Sequence, residues 1–218
     1  NSITEEDVRN FAENWGGNLF RFQINRNWHK ANDNRDLNEY NHWIDSRLDV
    51  LEELLSYCRK YGVCVTVDLH ALPGGRYENR SMAMFYEKPY NFTHQGLFDK
   101  PRDISYPGVI DGKLENRESL RAYLQPVRDF QLAYNKHIYL GEFSAARWAP
   151  GAERYLDDVI SICEEYDWDW SYHAYHEAQY WSLEHTVTFD RVERAGEPTA
   201  RLKVMKKWYA KNQKAAIP

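Results

Sequence analysis

Long apolar runs, basic clusters and cysteines are all scarce in this chain. No stretch approaches the ~20 consecutive apolar residues that cross a bilayer, which excludes a membrane-spanning helix. No basic run occurs, and 28 Lys plus Arg against 33 Asp plus Glu leave a net charge of −5. That balance argues against nucleic acid and anionic membrane surfaces as partners. The opening Asn1-Ser2-Ile3-Thr4-Glu5 is not a basic-then-apolar leader, so if the protein is secreted its signal has been removed, and the compartment stays open. The 3 cysteines, Cys58, Cys64 and Cys163, are odd in number and lack CxxC spacing. Lying in apolar patterns, they read as buried free thiols ahead of metal ligands or a disulfide. Gly74-Gly75 is a turn signal with no phosphate-binding pattern around it, and no Gly-x-Ser-x-Gly anchors Ser-His-Asp chemistry.

What remains is the make-up of one soluble globular domain over residues 1–218, 43% hydrophobic and 28% charged, with a mean hydropathy of −0.78. Aromatics are abundant: 8 Trp, 16 Tyr and 9 Phe make up 15% of the chain. Rings in such number serve packing, or they stack on the C–H faces of sugars; composition alone leaves both open.

Helical and strand periods alternate. Thr4 with Asp7 opens a capping box, and Val8, Phe11, Ala12 and Trp15 recur at helical spacing up to Gly16-Gly17. A strand at 18–24 comes next. Ile44, Leu48, Leu51, Leu55 and Cys58 mark a long helix with Gly62 just past its end, and Val63 to Leu69 is a nearly continuous apolar strand, the kind buried on both faces of a parallel sheet. In the second half, Leu120, Tyr123, Leu124, Val127 and Phe130 mark a helix before a strand at 138–143. Tyr155, Leu156, Val159, Ile160 and Cys163 mark another before a strand at 170–175, and a last helix covers 199–212. Four helix-then-strand units predict an α/β fold with about four parallel strands. They divide as 1–70 and 115–218, joined by a connection over 71–114 with no sustained period, long enough to need a functional reason or a missing piece.

Three strand ends carry charge that a buried strand does not hold without cause: Arg21, the pair Asp68 and His70, and Glu142. In (β/α) barrels the carboxyl ends of the strands build the active site, so these are candidate catalytic groups; an Arg21–Glu142 ion pair is the structural alternative. The segments Asn18-Leu19-Phe20-Arg21-Phe22-Gln23, Val67-Asp68-Leu69-His70-Ala71-Leu72-Pro73-Gly74-Gly75, Tyr139-Leu140-Gly141-Glu142-Phe143 and Trp170-Ser171-Tyr172-His173-Ala174-Tyr175 resemble the second, third, seventh and eighth strands of family 5 glycoside hydrolases, cellulase-like retaining enzymes. The resemblance implies an incomplete TIM-barrel-like fold and chemistry of the endo-β-1,4-glucanase or mannanase class on β-linked polysaccharide or oligosaccharide, with no cofactor and no metal. It implies that Glu142 is the nucleophile, that Arg21 keeps Glu142 ionised, and that His70 lines the subsite beside the cleaved bond. Trp181 falls where such enzymes place a stacking ring, and Tyr172 and His173 join it as substrate-binding candidates.

The departures bear on activity. A retaining glycosidase needs a second carboxyl group about 5–5.5 Å from the nucleophile. The family supplies it from an Asn-Glu-Pro motif on its fourth strand, and no such motif occurs here; Asn38-Glu39 is followed by Tyr40 and opens a helix. Tyr90 to Gly96 resembles the segment after the family's sixth strand, so the first and the fourth-to-sixth strands are expected to be missing. Activity is then expected to be weak or lost, the alternative being a non-catalytic carbohydrate-binding or structural half-barrel. His94, His173 and His176 suggest a metal site, but no carboxylate is placed as a third ligand, and Glu177 reads as a solvated loop residue. Four strands cannot close a barrel whose packed interior depends on eight, so a two-fold homodimer is expected to cover the open faces, with 71–114 crossing or capping the interface.

Overall fold

The computed structural model describes residues 3–25, 36–70, 104–110 and 112–212. It is mixed α/β, with four parallel strands in two separate pairs and no closed barrel among the described residues. The chain divides into two compact units, one from residues 2–85 with 209–218 and one from 86–208. The Tyr90 to Gly96 segment, His94 and most of the 71–114 connection lie outside the described residues.

In the first unit, helix α1 (Glu5–Arg9) opens with the expected capping box: Asp7 N donates to Thr4 Oγ1 at 3.3 Å and Thr4 N to Asp7 Oδ2 at 2.9 Å. The expected single helix changes winding, continuing as a π-helix (Asn10–Trp15) that ends at Gly16. Phe11 is buried there and stacks on Phe20 at 4.3 Å between ring centroids. Strand β1 (Leu19–Ile24) pairs in parallel with β2 (Cys64–Leu69) through the long helix α2 (Leu37–Tyr61), whose N-cap is Asp36 and whose end is Gly62 at φ 70°. The buried stripe of α2 is Tyr40, Leu51, Leu54 and Cys58, whereas Leu48, expected on it, is 43% exposed. The stripe lies one residue round from the expected one, on Leu54 in place of Leu55. β2 is also more open than its apolar run suggests, with Val67 50% and Leu69 45% exposed, because among the described residues its sheet holds a single neighbouring strand.

The second unit begins with a feature inside the connection that shows no sequence period. Strands β3 (Gly108–Ile110) and β4 (Lys113–Glu115) form an antiparallel hairpin. It feeds α3 (Arg117–Tyr134), capped by Asn116 and Ser119 and ending at Asn135 in the left-handed conformation. No residue of α3 is buried, and its predicted apolar stripe leaves Tyr123, Val127 and Phe130 exposed. Strand β5 (Tyr139–Phe143), helix α4 (Ala152–Glu165) and strand β6 (Asp169–Tyr172) come next, with β5 and β6 parallel, and helix α5 (Ala200–Tyr209) ends the described fold. The core here is Leu156, Val159, Ile160, Ile162 and Cys163 of α4 against Leu202, Met205 and Trp208 of α5 and the wholly buried stretch 144–149 after β5. No helix among the described residues is long and apolar enough to cross a membrane.

Candidate functional site

Side chains of paired residues in a sheet share a face and alternate along each strand. The register Arg21↔Thr66 and Gln23↔Asp68 therefore gathers Arg21, Gln23, Thr66 and Asp68 on one face of the β1–β2 pair, leaving Phe20, Phe22, Val65 and Val67 on the other. On the polar face, Asp68 Oδ2 accepts from Arg21 Nη2 at 2.8 Å and pairs with His70 Nδ1 at 2.8 Å. These side chains are half sheltered, at 17% exposure for Arg21, 26% for Asp68 and 15% for His70. Charge-assisted bonds of this length fix both the guanidinium and the imidazole. Asp68 is thus the hub of this cluster, a position that strand spacing alone does not reveal.

The second cluster grows from an irregularity. β5 and β6 pair as Leu140↔Trp170 and then as Phe143↔Tyr172, so β5 carries one extra residue across Gly141-Glu142. A bulge of this kind bends the strand and re-aims a side chain, and a glycine inside a strand is its usual mark. Ser171 Oγ donates to the Gly141 carbonyl at 2.6 Å and stands 2.7 Å from the Tyr139 hydroxyl, tying the bulge to β6. Glu142 emerges with its side chain 42% exposed, and His173 Nδ1 lies 3.4 Å from its Oε1. The other ring nitrogen of His173, Nε2, lies 3.1 Å from Glu177 Oε2. The Trp181 ring meets His173 edge-on at 5.1 Å between centroids.

Trp181 is held from behind. The Tyr172 hydroxyl donates to the Trp181 carbonyl at 2.5 Å, and burial raises the pKa of that hydroxyl well above the usual phenol range, which keeps it a neutral donor. Arg147 N donates to the Tyr180 carbonyl at 2.8 Å, and its buried guanidinium reaches the carbonyls of Thr186, Thr188 and Phe189. Arg201, equally buried, donates to the carbonyls of Arg147, Ser182 and His185. Burial lowers the pKa of both guanidiniums from the ordinary arginine value, and the ring of carbonyl oxygens compensates their desolvation. Beyond Trp181, Glu184 Oε2 sits 2.8 Å from His176 Nε2, and this contact holds the Glu184 carboxyl below the usual range.

The expected residues thus fall into two groups. Arg21 and His70 stand together through Asp68 in the first unit; Glu142, His173, Tyr172 and Trp181 stand together in the second. Arg21 and Glu142 accordingly belong to different units. Glu177 is 54% exposed, as a solvated residue would be, yet it also faces His173. Cys58 and Cys163 are buried free thiols, whereas Cys64 is free but exposed, a correction that stems from the open face of β2. Among the described residues no group of three His, Cys, Asp or Glu side chains is arranged to hold a metal. Arg147 and Arg201 are buried structural supports of the segment around Trp181 that sequence pattern does not single out, although each leaves a trace. Arg147 is the one cation in Ala145-Ala146-Arg147-Trp148-Ala149, and Arg201 falls on the same stripe as Met205 and Trp208.

No protein-family model and no curated protein sequence matches the chain. Solved structures that resemble it include a glycoside hydrolase, 21% identical over 75% of this chain and 54% of that one, with a TM-score of 0.43. Another is the cellulose synthase subunit Z of Clostridioides difficile, 16% identical over 92% of this chain and 65% of that one, with a TM-score of 0.40. A third is Thermotoga maritima Cel5A bound to mannotriose, 18% identical over 72% and 53%, with a TM-score of 0.38. The chain spans between 53% and 65% of the length of these three structures.

Proposed function

We propose that this chain is a glycosidase-type protein for β-1,4-linked glucan or mannan, working by a retaining mechanism with Glu142 as the nucleophile. The observation that carries this reading is the placement of Glu142 on a β-bulge at the end of β5, its carboxylate partly open to solvent beside His173 and Trp181. Glu142 attacks the anomeric carbon, Trp181 offers the flat apolar ring that a pyranose face packs on, and His173 and Tyr172 complete that side of the subsite. Arg21 and His70 are fixed by Asp68 in a polar cluster of the first unit. The sequence holds no Asn-Glu-Pro carboxylate to protonate the leaving group. General acid help is worth ~10²–10⁴-fold, so turnover on polysaccharide is low and activated aryl glycosides are the better substrates. The purified protein should release the phenol from aryl β-cellobiosides or β-mannosides, and Glu142→Gln should abolish release; release that survives the substitution removes Glu142 from the mechanism.

A second reading, a carbohydrate-binding or structural homodimer without turnover, is favoured by the apolar side chains left open on β2 and α3: Val67 and Leu69 on the strand, Tyr123, Val127 and Phe130 on the helix. Calorimetry with cello- and manno-oligosaccharides separates the two, since a binder gives heat and no product.

A further inference from the structure

Resting on the reading of Glu142 as nucleophile, we infer that His173 and Glu177 together carry out the acid/base chemistry for which the chain has no Asn-Glu-Pro carboxylate. His173 is the proton donor and acceptor, and Glu177 is the positioning residue that holds its ring. The imidazole lies between two carboxylates, Nδ1 at 3.4 Å from Glu142 and Nε2 at 3.1 Å from Glu177. Its side chain is sheltered at 16% exposure, while the carboxylates beside it are 42% and 54% exposed, so the ring is fixed and its surroundings are open to a ligand. Trp181 packs edge-on against the ring, which places the expected sugar platform next to the expected proton donor.

The two distances differ in a useful way. At 3.1 Å the Glu177 contact is within hydrogen-bonding range, whereas 3.4 Å to Glu142 is longer than such bonds normally are. Nδ1 is therefore close to Oε1 of the nucleophile without being committed to it, and attack through the other carboxylate oxygen would leave room for a glycosidic oxygen between Glu142 and the imidazole. The line of carboxylate, imidazole and nucleophile obeys the logic of a hydrolytic triad, with one change. A carboxylate nucleophile is already ionised and needs no base, so the imidazole is released to serve the leaving group.

Bonds and protons balance over two half-reactions. In the first, a Glu142 oxygen forms a bond to the anomeric carbon as the carbon–oxygen bond to the departing sugar breaks. The electron pair of that bond stays on the departing oxygen, which takes the ring proton from His173. In the second, a water gives its proton back to the same ring nitrogen. Its oxygen bonds to the anomeric carbon, and the ester to Glu142 opens.

The test uses the whole chain and aryl and alkyl β-cellobiosides with leaving groups of graded acidity. His173→Ala should lower turnover about a hundredfold or more for the alkyl leaving group and far less for dinitrophenol, which needs no acid. Added azide should restore turnover and yield the β-configured glycosyl azide. Glu177→Gln should lower kcat more than KM. It removes one of the two carboxylates that face His173 among the described residues, the other being Glu142, and with a negative charge gone from beside the imidazolium the fall of activity with rising pH should move to lower pH. Equal losses across all leaving groups, with no azide product and an unmoved pH limb, overturn the assignment. Should His173→Ala fail to fold, judged by circular dichroism, the exposed Glu177→Gln carries the decision alone through its pH limb. If Glu142→Gln leaves activity intact, the nucleophile reading fails whatever His173 does, and no release from the unaltered protein, even of dinitrophenol, defeats both.

Discussion

Burial sets the chemistry of individual side chains here more than sequence position does. Cys58 and Cys163 are sealed in apolar surroundings, and burial pushes both thiols up to about 12, whereas Cys64 lies on the open side of β2. The thiolate is the reactive form, so iodoacetamide at mildly alkaline pH should label Cys64 and leave the other two until denaturant is added. Mass spectrometry of the peptides checks this, and native labelling of Cys163 would contradict the packing around α4. Among single residues, the candidate nucleophile Glu142 is legible in the sequence because a carboxylate at the end of an apolar strand has few structural excuses. The proposed role of Glu177 is not legible there. It depends on the His173 ring turning its second nitrogen toward a loop, and no sequence period encodes that.

Among the elements, positions and types are legible and faces less so. All four parallel strands and the helices before them stand where apolar periodicity puts them, because long amphipathic runs closed by caps such as Thr4 and Gly62 leave little choice. The β3–β4 hairpin leaves no periodic trace, since three-residue strands are too short for one. Its only sequence mark is Asp111-Gly112 between Gly108-Val109-Ile110 and Lys113-Leu114-Glu115, a strong hairpin signal. This hairpin leads from a sharp contact. Gly151, the N-cap of α4, sits at φ 80°, and a Cβ built there would lie 1.7 Å from the Tyr106 carbonyl oxygen. Tyr106 in turn donates through its hydroxyl to Asp158 at 2.8 Å. Gly151→Ala should therefore cost more than the ~1–2 kcal/mol of left-handed strain alone. Gly62→Ala, at φ 70° in open space, should cost about that strain and no more. Urea denaturation of the pair measures the difference, and equal losses would show that the Tyr106–Gly151 contact relaxes freely.

For the whole molecule, the apolar side chains open on β2 and on α3 are the faces that the proposed homodimer would cover with a second copy. In such a dimer folding would be linked to association, so the thermal midpoint should rise with protein concentration and light scattering should give twice 26.0 kDa; a cooperatively folded particle of 26.0 kDa at micromolar concentration would contradict the proposal. The Arg21–Asp68–His70 cluster is beyond sequence periodicity, since no pattern of spacing reports on contacts between distant segments. The proposed mechanism stands on a narrower point: Glu142 forms a covalent bond to a β-linked sugar. The direct measurement is intact and peptide mass spectrometry after incubation with a 2-deoxy-2-fluoro aryl β-cellobioside, whose fluorine slows release of the ester more than its formation. One fluorocellobiosyl group per chain on the peptide containing Glu142, absent in Glu142→Gln, is the result expected; an unmodified chain, or a label on any other residue, contradicts the assignment.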